Sequence, residues 1–164
     1  MSKTIRSIVV VFSILFFIRV ATIFTADRLS SISMLAEKEK INREIALSLV
    51  NISIKIDSAN ADIYMRKYDI LQDIIRNDGR DKRYVLLERQ LHTLRRCIQL
   101  CPSWPAYHMY YAVTVRRMSP QPNIQTRKLI LSEMEKGTRL KPYSKRYSKI
   151  YKRYLQKSSS EIEQ

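Results

Sequence analysis

The chain has 164 residues, which leaves room for one domain and an appendage. Only two glycines and five prolines interrupt a composition rich in Leu, Ile, Lys, Arg and Glu, and no clean two-residue alternation marks a strand, so helix is expected throughout. Two cysteines are too few for a disulfide framework.

The net charge of +15 is concentrated in the second half of the chain. Residues 1–26 carry +3, residues 27–81 carry −1 and residues 158–164 carry −2. Residues 82–157 carry +15, from eighteen basic and only three acidic side chains. Such asymmetry indicates an anionic partner for the C-terminal half.

The N-terminal segment, residues 5–26, is mostly aliphatic and aromatic and contains no acidic residue. As a helix its 22 residues extend roughly 33 Å, about the thickness of the hydrocarbon core of a bilayer. Lys3 and Arg6 at its start favour a cytoplasmic N-terminus, with the rest of the chain on the other side. We therefore predict a signal-anchor in residues 1–26 that crosses the inner (cytoplasmic) membrane once.

Arg19 lies within this segment, where a charge at mid-membrane is costly but one near an end can reach the headgroups. The apolar run of residues 8–18 is also short enough for the core of a cleaved signal peptide, although Phe24-Thr25-Ala26 is not a good A-x-A cleavage site. A cleaved signal and a buried helix of a soluble protein therefore remain alternatives to the anchor.

The rest of the chain is predicted as a helical stalk over residues 27–40, six helices within residues 41–157, and a disordered tail over residues 158–164. The six helices are expected over about 41–56, 61–77, 82–100, 104–118, 124–140 and 144–156. In the first, one apolar face is predicted from Ile41, Ile45, Leu49, Ile52 and Ile56. In the third, the core candidates are Val85, Leu87, Leu91, Leu94, Ile98 and Leu100.

One short pattern occurs at the end of three of these helices. A small residue is followed by an aliphatic residue three positions later and by a turn residue five positions later. The three copies are Ser53, Ile56 and Ser58; Cys97, Leu100 and Pro102; and Gly137, Leu140 and Pro142. Small residues let two helices approach closely, the aliphatic is expected to face the core, and proline cannot continue the helix it ends. The repeated junction predicts an all-α array of antiparallel helical hairpins.

The junctions resemble those of the tetratricopeptide repeat (TPR) family, whose helical pairs are joined by short turns with a proline. The small residues and turn residues of the three copies match the corresponding family positions. The bulky position three residues before the small one is held by Val50, Leu94 and Met134. Ala46 matches the alanine that precedes it in the family, whereas Gln90 and Ile130 do not.

This sequence also departs from the TPR pattern. Successive junctions are separated by 44 and 40 residues, whereas the repeat has about 34. The first-helix glycine of the family is Ala112 in one unit and Tyr68 in another. The resemblance covers about residues 41–156, and an irregular six-helix bundle is the alternative.

The resemblance implies a concave groove, lined by the first helix of each hairpin, that binds peptides or protein partners. The candidate groove residues are Tyr64, Arg66, Lys67, Tyr68, Trp104, Tyr107, Tyr110, Tyr111, Arg116 and Arg117. Tyrosine offers contact area and a hydroxyl, and arginine offers a charged fork for carboxylates or phosphates. Core packing is the alternative role for the tyrosines.

The last helix combines a tyrosine face with many basic residues. Tyr143, Tyr147, Tyr151 and Tyr154 recur every three or four positions and are expected to close the array as a cap. A candidate surface for anionic lipid or another polyanion such as polysaccharide is formed by Lys145, Arg146, Lys149, Lys152, Arg153 and Lys157. The cap and the polyanion surface can coexist on one helix.

No catalytic constellation, cofactor site or metal site is predicted. Cys97 and Cys101, four residues apart, and the only histidines, His92 and His108, fit no standard zinc spacing. A disulfide between the two cysteines would require the end of the helix to unwind. We therefore predict a protein that is not an enzyme.

The sequence predicts a membrane-tethered TPR-like module for protein–protein interaction, anchored in the bilayer through residues 5–26. The helical domain is expected in the periplasm, as a scaffold beside a membrane-associated protein partner in a bacterial envelope complex for assembly, export or polysaccharide. Two alternatives are a polybasic protein that binds anionic lipid or polyanion, and an N-terminally anchored organelle receptor of the mitochondrial import type. A nucleic-acid partner is not expected.

Overall fold

The computed structural model describes residues 3–38, 43–77 and 82–160. Those residues form seven helices and no strand, which confirms the all-α prediction. The helices are α1 (Lys3–Lys38), α2 (Arg43–Ile56), α3 (Ala61–Asn77), α4 (Arg83–Leu100), α5 (Pro105–Met118), α6 (Ile124–Leu140) and α7 (Lys145–Ser160).

Six helices follow α1, as the sequence predicted, with ends that differ by a few residues. The predicted start of the first of these six helices, at about residue 41, falls outside the described residues. The last helix extends to Ser160, into the range predicted as a tail, and residues 161–164 also lie outside the described part.

The chain divides into two compact units, residues 1–70 and 71–164, with the boundary inside α3. In the first unit α1 packs against α2. The buried faces are made of small residues, which allow a close approach: Ala26, Ser30 and Ser33 on α1, and Ala46, Val50 and Ser53 on α2, all fully buried. The guanidinium of Arg19 lies 3.5 Å from the carboxylate of Asp57, directly after α2, so the two helices are antiparallel.

The predicted apolar face of α2 is therefore not the buried one. Ile45 and Ile52 are 51% and 43% exposed, and Leu49 and Ile56 are only half-buried. The prediction identified the periodicity correctly but chose the large aliphatic stripe, whereas α2 buries the adjacent face of smaller side chains. Its isoleucine stripe faces outward.

In the second unit α4, α5, α6 and α7 pack one against the next in chain order. Fully buried side chains from successive helices form its core, among them Leu94, Met109, Ile130 and Met134. On α4 the expected core residue Val85 is 50% exposed and its neighbour Leu86 is buried instead. Leu87, Leu91 and Leu94 are buried as expected, whereas Ile98 and Leu100, also predicted for the core, are only half-buried.

The two proline junctions have nearly the same backbone geometry. Cys101 and Lys141, the residues after α4 and α6, have φ/ψ of −143°/75° and −138°/69°. The amide of Trp104 then donates to the Cys101 carbonyl, and the amide of Ser144 donates to the Lys141 carbonyl. Pro102 and Pro142 occupy the second turn position, where a φ fixed near −65° is favoured. The two proline-containing copies of the sequence pattern thus adopt the same turn conformation.

The small residue of each junction is buried, but the aliphatic residue is not. Ser53 and Cys97 are fully buried, and a Cβ on Gly137 would lie 2.7 Å from Cγ of Met109 and 3.0 Å from the Pro105 carbonyl. Leu140, in contrast, is 43% exposed. The prediction of close helix approach at the small position is borne out by these distances, and the prediction that the aliphatic faces the core is wrong for Leu140.

Candidate interaction surface

A cavity of about 420 Å³ opens at the C-terminal end of α5, within the second unit. We call it the basic groove; its lining residues are Val113, Arg116, Arg117, Pro120, Met134 and Ile150. They come from α5 and the loop after it, from α6, and from α7. Four of the six lining residues are apolar, and the two arginines, both exposed, supply positive charge.

Neighbouring helices hold the two arginines in different directions. Nη1 of Arg117 donates to Oε1 of Gln72 on α3 over 2.7 Å, and the same oxygen accepts from Nε2 of Gln90 on α4 over 3.2 Å. The guanidinium of Arg116 stacks over the ring of Tyr154 on α7, 5.2 Å from its centroid, a cation–π distance. Both cations are therefore oriented before any partner arrives.

Few acidic side chains are available to neutralise these cations. Of the three acidic residues in 82–157, Glu133 lies 2.7 Å from Nζ of Lys136, and Glu135 lies 3.4 Å from Nε of Arg139. Glu133 also bonds to His108. Two of the three carboxylates are thus committed to other pairs, and among the described residues the arginines of the basic groove have polar or aromatic neighbours rather than an ion pair.

A buried polar network ties α5 to α6 and to the turn before α5. Nδ1 of His108 lies 2.7 Å from Oε2 of Glu133, and Nε2 lies 2.7 Å from the Pro102 carbonyl. Both ring nitrogens of His108 therefore face oxygen atoms. Burial raises the pKa of Glu133, but the hydrogen bonds and charges of His108 and Lys136 outweigh that effect and leave the pKa below its usual value.

The sequence prediction found no partner for His108, because Glu133 is 25 residues away on another helix. The sequence feature that could have indicated this pair was Glu133 itself, an acidic residue on the buried face of α6 in a region with few acidic residues. The lining positions Val113, Met134 and Ile150 were likewise not predicted as part of a site, since their convergence depends on how α6 and α7 pack against α5.

The structure separates the predicted groove residues of the second unit into two sets. Tyr107 and Tyr111 are buried, with 4% and 7% exposure, so their rings pack in the core. Trp104 is 54% exposed and Tyr110 is half-buried, and Arg116 and Arg117 line the basic groove. Nε of Arg95 donates to the Tyr111 hydroxyl over 3.2 Å, a further reason to assign Tyr111 to packing.

The predicted groove residues of the first unit lie on the first turns of α3. Tyr68 is buried, and Tyr64 is half-buried with its hydroxyl 3.4 Å from the Ser58 carbonyl. Arg66 donates to Asp27 of α1 over 3.4 Å. Lys67 is half-buried and also has an interaction partner.

On α7 the tyrosine face becomes more buried along the helix. Tyr143, before the helix begins, is 97% exposed, Tyr147 and Tyr151 are half-buried, and Tyr154 is 5% exposed. Five of the six predicted polyanion-binding side chains are exposed: Lys145, Arg146, Lys149, Lys152 and Arg153. The side chain of Lys157 lies outside the described part of the molecule.

The cysteines are both free thiols, Cys97 buried and Cys101 half-buried at the turn. Among residues 3–38, 43–77 and 82–160 no three His, Cys, Asp or Glu side chains group as a metal site would require. The candidate site therefore consists of basic and apolar surface.

Comparison with solved structures identifies the fold. The TPR domain of Arabidopsis OM64 superposes with a TM-score of 0.62 at 12% identity, over 81% of this chain and 96% of that domain. The fold is TPR-like. No protein-family model matches the sequence, and no curated protein matches it.

Two further TPR-like structures were solved with bound peptides. The first TPR of Spaghetti (RPAP3), bound to an HSP90 peptide, has a TM-score of 0.62 at 11% identity and covers 82% of this chain and 94% of its own. The type III secretion chaperone SycD of Yersinia enterocolitica, in complex with a peptide of the translocator YopD, has a TM-score of 0.57 at 11% identity. That match covers 80% of this chain and 88% of SycD.

One helix in the described part, α1, is long and apolar enough to cross a membrane by length and composition; the qualifying stretch is Ile8–Ser33.

Proposed function

We propose that the protein is a membrane-tethered interaction module whose basic groove binds an acidic segment of a protein partner. The observation that carries the proposal is the pairing of apolar lining residues with two oriented, exposed arginines for which the described residues show no ion pair. A partner segment with a carboxylate beside an apolar side chain complements both features. We place the partner in a bacterial envelope complex for assembly, export or polysaccharide, with the helical domain in the periplasm.

The charge balance supports an acidic partner over a neutral one. Residues 82–157 hold eighteen basic side chains and three acidic ones, and Glu133 and Glu135 are already paired. A positive field of this size raises the rate of encounter with acidic surfaces and lowers affinity for basic ones. The bound peptides in the RPAP3 and SycD structures support a peptide-like ligand for this fold.

A second candidate function is binding to anionic lipid or another polyanion through α7. The observation in its favour is the set of exposed basic residues along that helix, with Tyr143 almost fully exposed beside them. Each lysine or arginine near an anionic leaflet contributes about 1 kcal/mol, and this attraction is screened by salt. The two functions use different surfaces and can be separated by mutation.

Reversing both groove charges is expected to abolish partner capture. The variant Arg116→Glu/Arg117→Glu places two carboxylates where the acidic segment would bind, so crosslinking in native membranes followed by affinity purification should lose the partner seen with the unaltered chain. The matched control is Lys145→Glu/Lys149→Glu, which changes the net charge equally but alters only α7.

The control is expected to keep the partner and to lose binding to vesicles that contain anionic phospholipid. Equal capture by the groove variant and the unaltered chain would overturn the proposed groove. Loss of capture in both variants, reversed at low salt, would instead favour the polyanion function.

A further inference from the structure

The apolar surface of α1 does not stop at Arg19, the charged residue that follows the apolar run of residues 8–18. Beyond it Val20, Ile23 and Phe24 remain exposed, Phe24 by 65%. From Ile5 to Phe24 the chain has 20 residues, which as a helix span about 30 Å and match the hydrocarbon core. A span ending at Ile18 would measure only about 20 Å.

The helix α2 runs alongside the last part of that span. Asp57, which follows α2, pairs with Arg19, and the two helices are antiparallel. Moving one residue toward the start of α2 therefore corresponds to moving about one residue toward the end of α1. Counted from the Arg19–Asp57 pair, Ile56 lies near the level of Val20, and Ile52 lies near the level of Phe24. Ile52 is 43% exposed, and Ile56 is half-buried.

We propose that the C-terminal turn of α2 enters the outer part of the bilayer together with α1. Val20, Ile23 and Phe24 of α1 and Ile52 and Ile56 of α2 then form an apolar collar that contacts lipid. The occupant of this exposed surface is the membrane itself. The inference rests on the membrane anchoring by α1 in the proposed function, and it adds the end of α2 as a second segment inserted in the bilayer.

The charges and packing around the collar fit this position. The side chain of Asp57 is buried by protein and only 7% exposed, and its carboxylate pairs with Arg19. Because the pair is neutral, placing it below the headgroups costs less free energy than placing a single charge there. The turn that follows, Ser58-Ala59-Asn60, carries no charge. Lys55, on the exposed side of α2, has a long side chain that can reach the phosphates.

The small-residue packing of the hairpin is also typical of helices in lipid. Such helices approach through Ala and Ser and direct large aliphatic side chains outward. At the level of the collar the buried residue of α2 is the small Ser53, while Phe24 and Ile52 are exposed; Ala26, Ser30 and Ser33 continue the small-residue contact beyond the collar. Asp27 and Arg28, three and four residues beyond Phe24, mark where the collar must end, because two adjacent charged side chains favour water.

The depth of the collar can be measured by quenching of tryptophan emission by lipids brominated in the upper acyl chain. In the full chain Trp104 is replaced by Phe, and one tryptophan is introduced by Ile52→Trp, by Ile45→Trp or by Phe12→Trp. Ile45 and Ile52 are exposed on the same stripe of α2, and Ile45 is about 10 Å farther from the collar.

We expect the brominated lipids to quench the emission of Ile52→Trp and of Phe12→Trp, and to leave the emission of Ile45→Trp unchanged. Quenching of Phe12→Trp alone would overturn the inserted collar and leave the tether intact. Quenching at all three positions would also overturn it, since the whole hairpin would then lie in lipid. Absence of quenching at Phe12→Trp would contradict the tether of the proposed function as well.

Discussion

Replacing Gly137 by valine is expected to destabilise the second unit by about 3 kcal/mol, because overpacking of a close helix contact forces backbone or core side chains to move. A Cβ at this position lies 2.7 Å from Cγ of Met109 and 3.0 Å from the Pro105 carbonyl. Met109 is buried, so it has little room to retreat. Chemical denaturation followed by circular dichroism measures the change.

Gly137→Ala should also destabilise, although alanine favours a helix by about 1 kcal/mol over glycine. The matched control is Ser132→Val on the exposed side of the same helix, which should change stability by less than about 0.5 kcal/mol. Combining Gly137→Ala with Met109→Ala should cost less than the sum of the single changes, because the smaller side chain makes room. Strict additivity would contradict the close contact.

Replacing Glu133 by glutamine is expected to cost about 1–3 kcal/mol, because it removes the charge that accepts from His108 and Lys136 in a buried site. The matched control is Glu135→Gln on the same helix, whose carboxylate is half-exposed and pairs with Arg139. That exposed pair should contribute less than about 1 kcal/mol. Thermal unfolding of the three proteins at neutral pH tests the difference.

The same pair gives a pH dependence of defined sign. The pKa of Glu133 is lowered in the folded state, so its ionised form favours folding. Its contribution is complete above the unfolded value of about 4.3 and is lost as the pH falls through the lower folded pKa. Between about pH 5 and 3 the unaltered protein should therefore lose more stability than Glu133→Gln. Parallel curves would contradict this assignment.

The helix boundaries were largely predictable because local signals define them. Pro102 and Pro142 end helices through their own ring geometry, and Asn123 caps α6 by accepting from the Thr126 amide. The buried face of α2 was not predictable from hydrophobicity. Whether Ile52 or Val50 faces the neighbouring helix depends on how closely that helix approaches. The small side chains of Ala46 and Ser53 allow the close approach, and this effect is evident only once the two helices are packed together.

The candidate site was predictable only in part. Arg116 and Arg117, which line the basic groove, were singled out from their place on a first helix, whereas Trp104, singled out beside the junction, does not line it. The tyrosines were harder, because aromatic residues at helical spacing can line a groove or fill a core, and Tyr107 and Tyr111 fill the core. The contribution of Ile150 follows from the docking of α7, which no local pattern specifies.

A photo-crosslinking amino acid at Val113 in the basic groove tests directly whether the groove binds a protein. In native membranes we expect one reproducible protein adduct from this position, lost when Arg116→Glu/Arg117→Glu is added. The control position is Ile124, which is 73% exposed at the start of α6 and does not line the groove. No adduct from Val113, or the same adducts from both positions, would contradict a groove that recognises a protein partner.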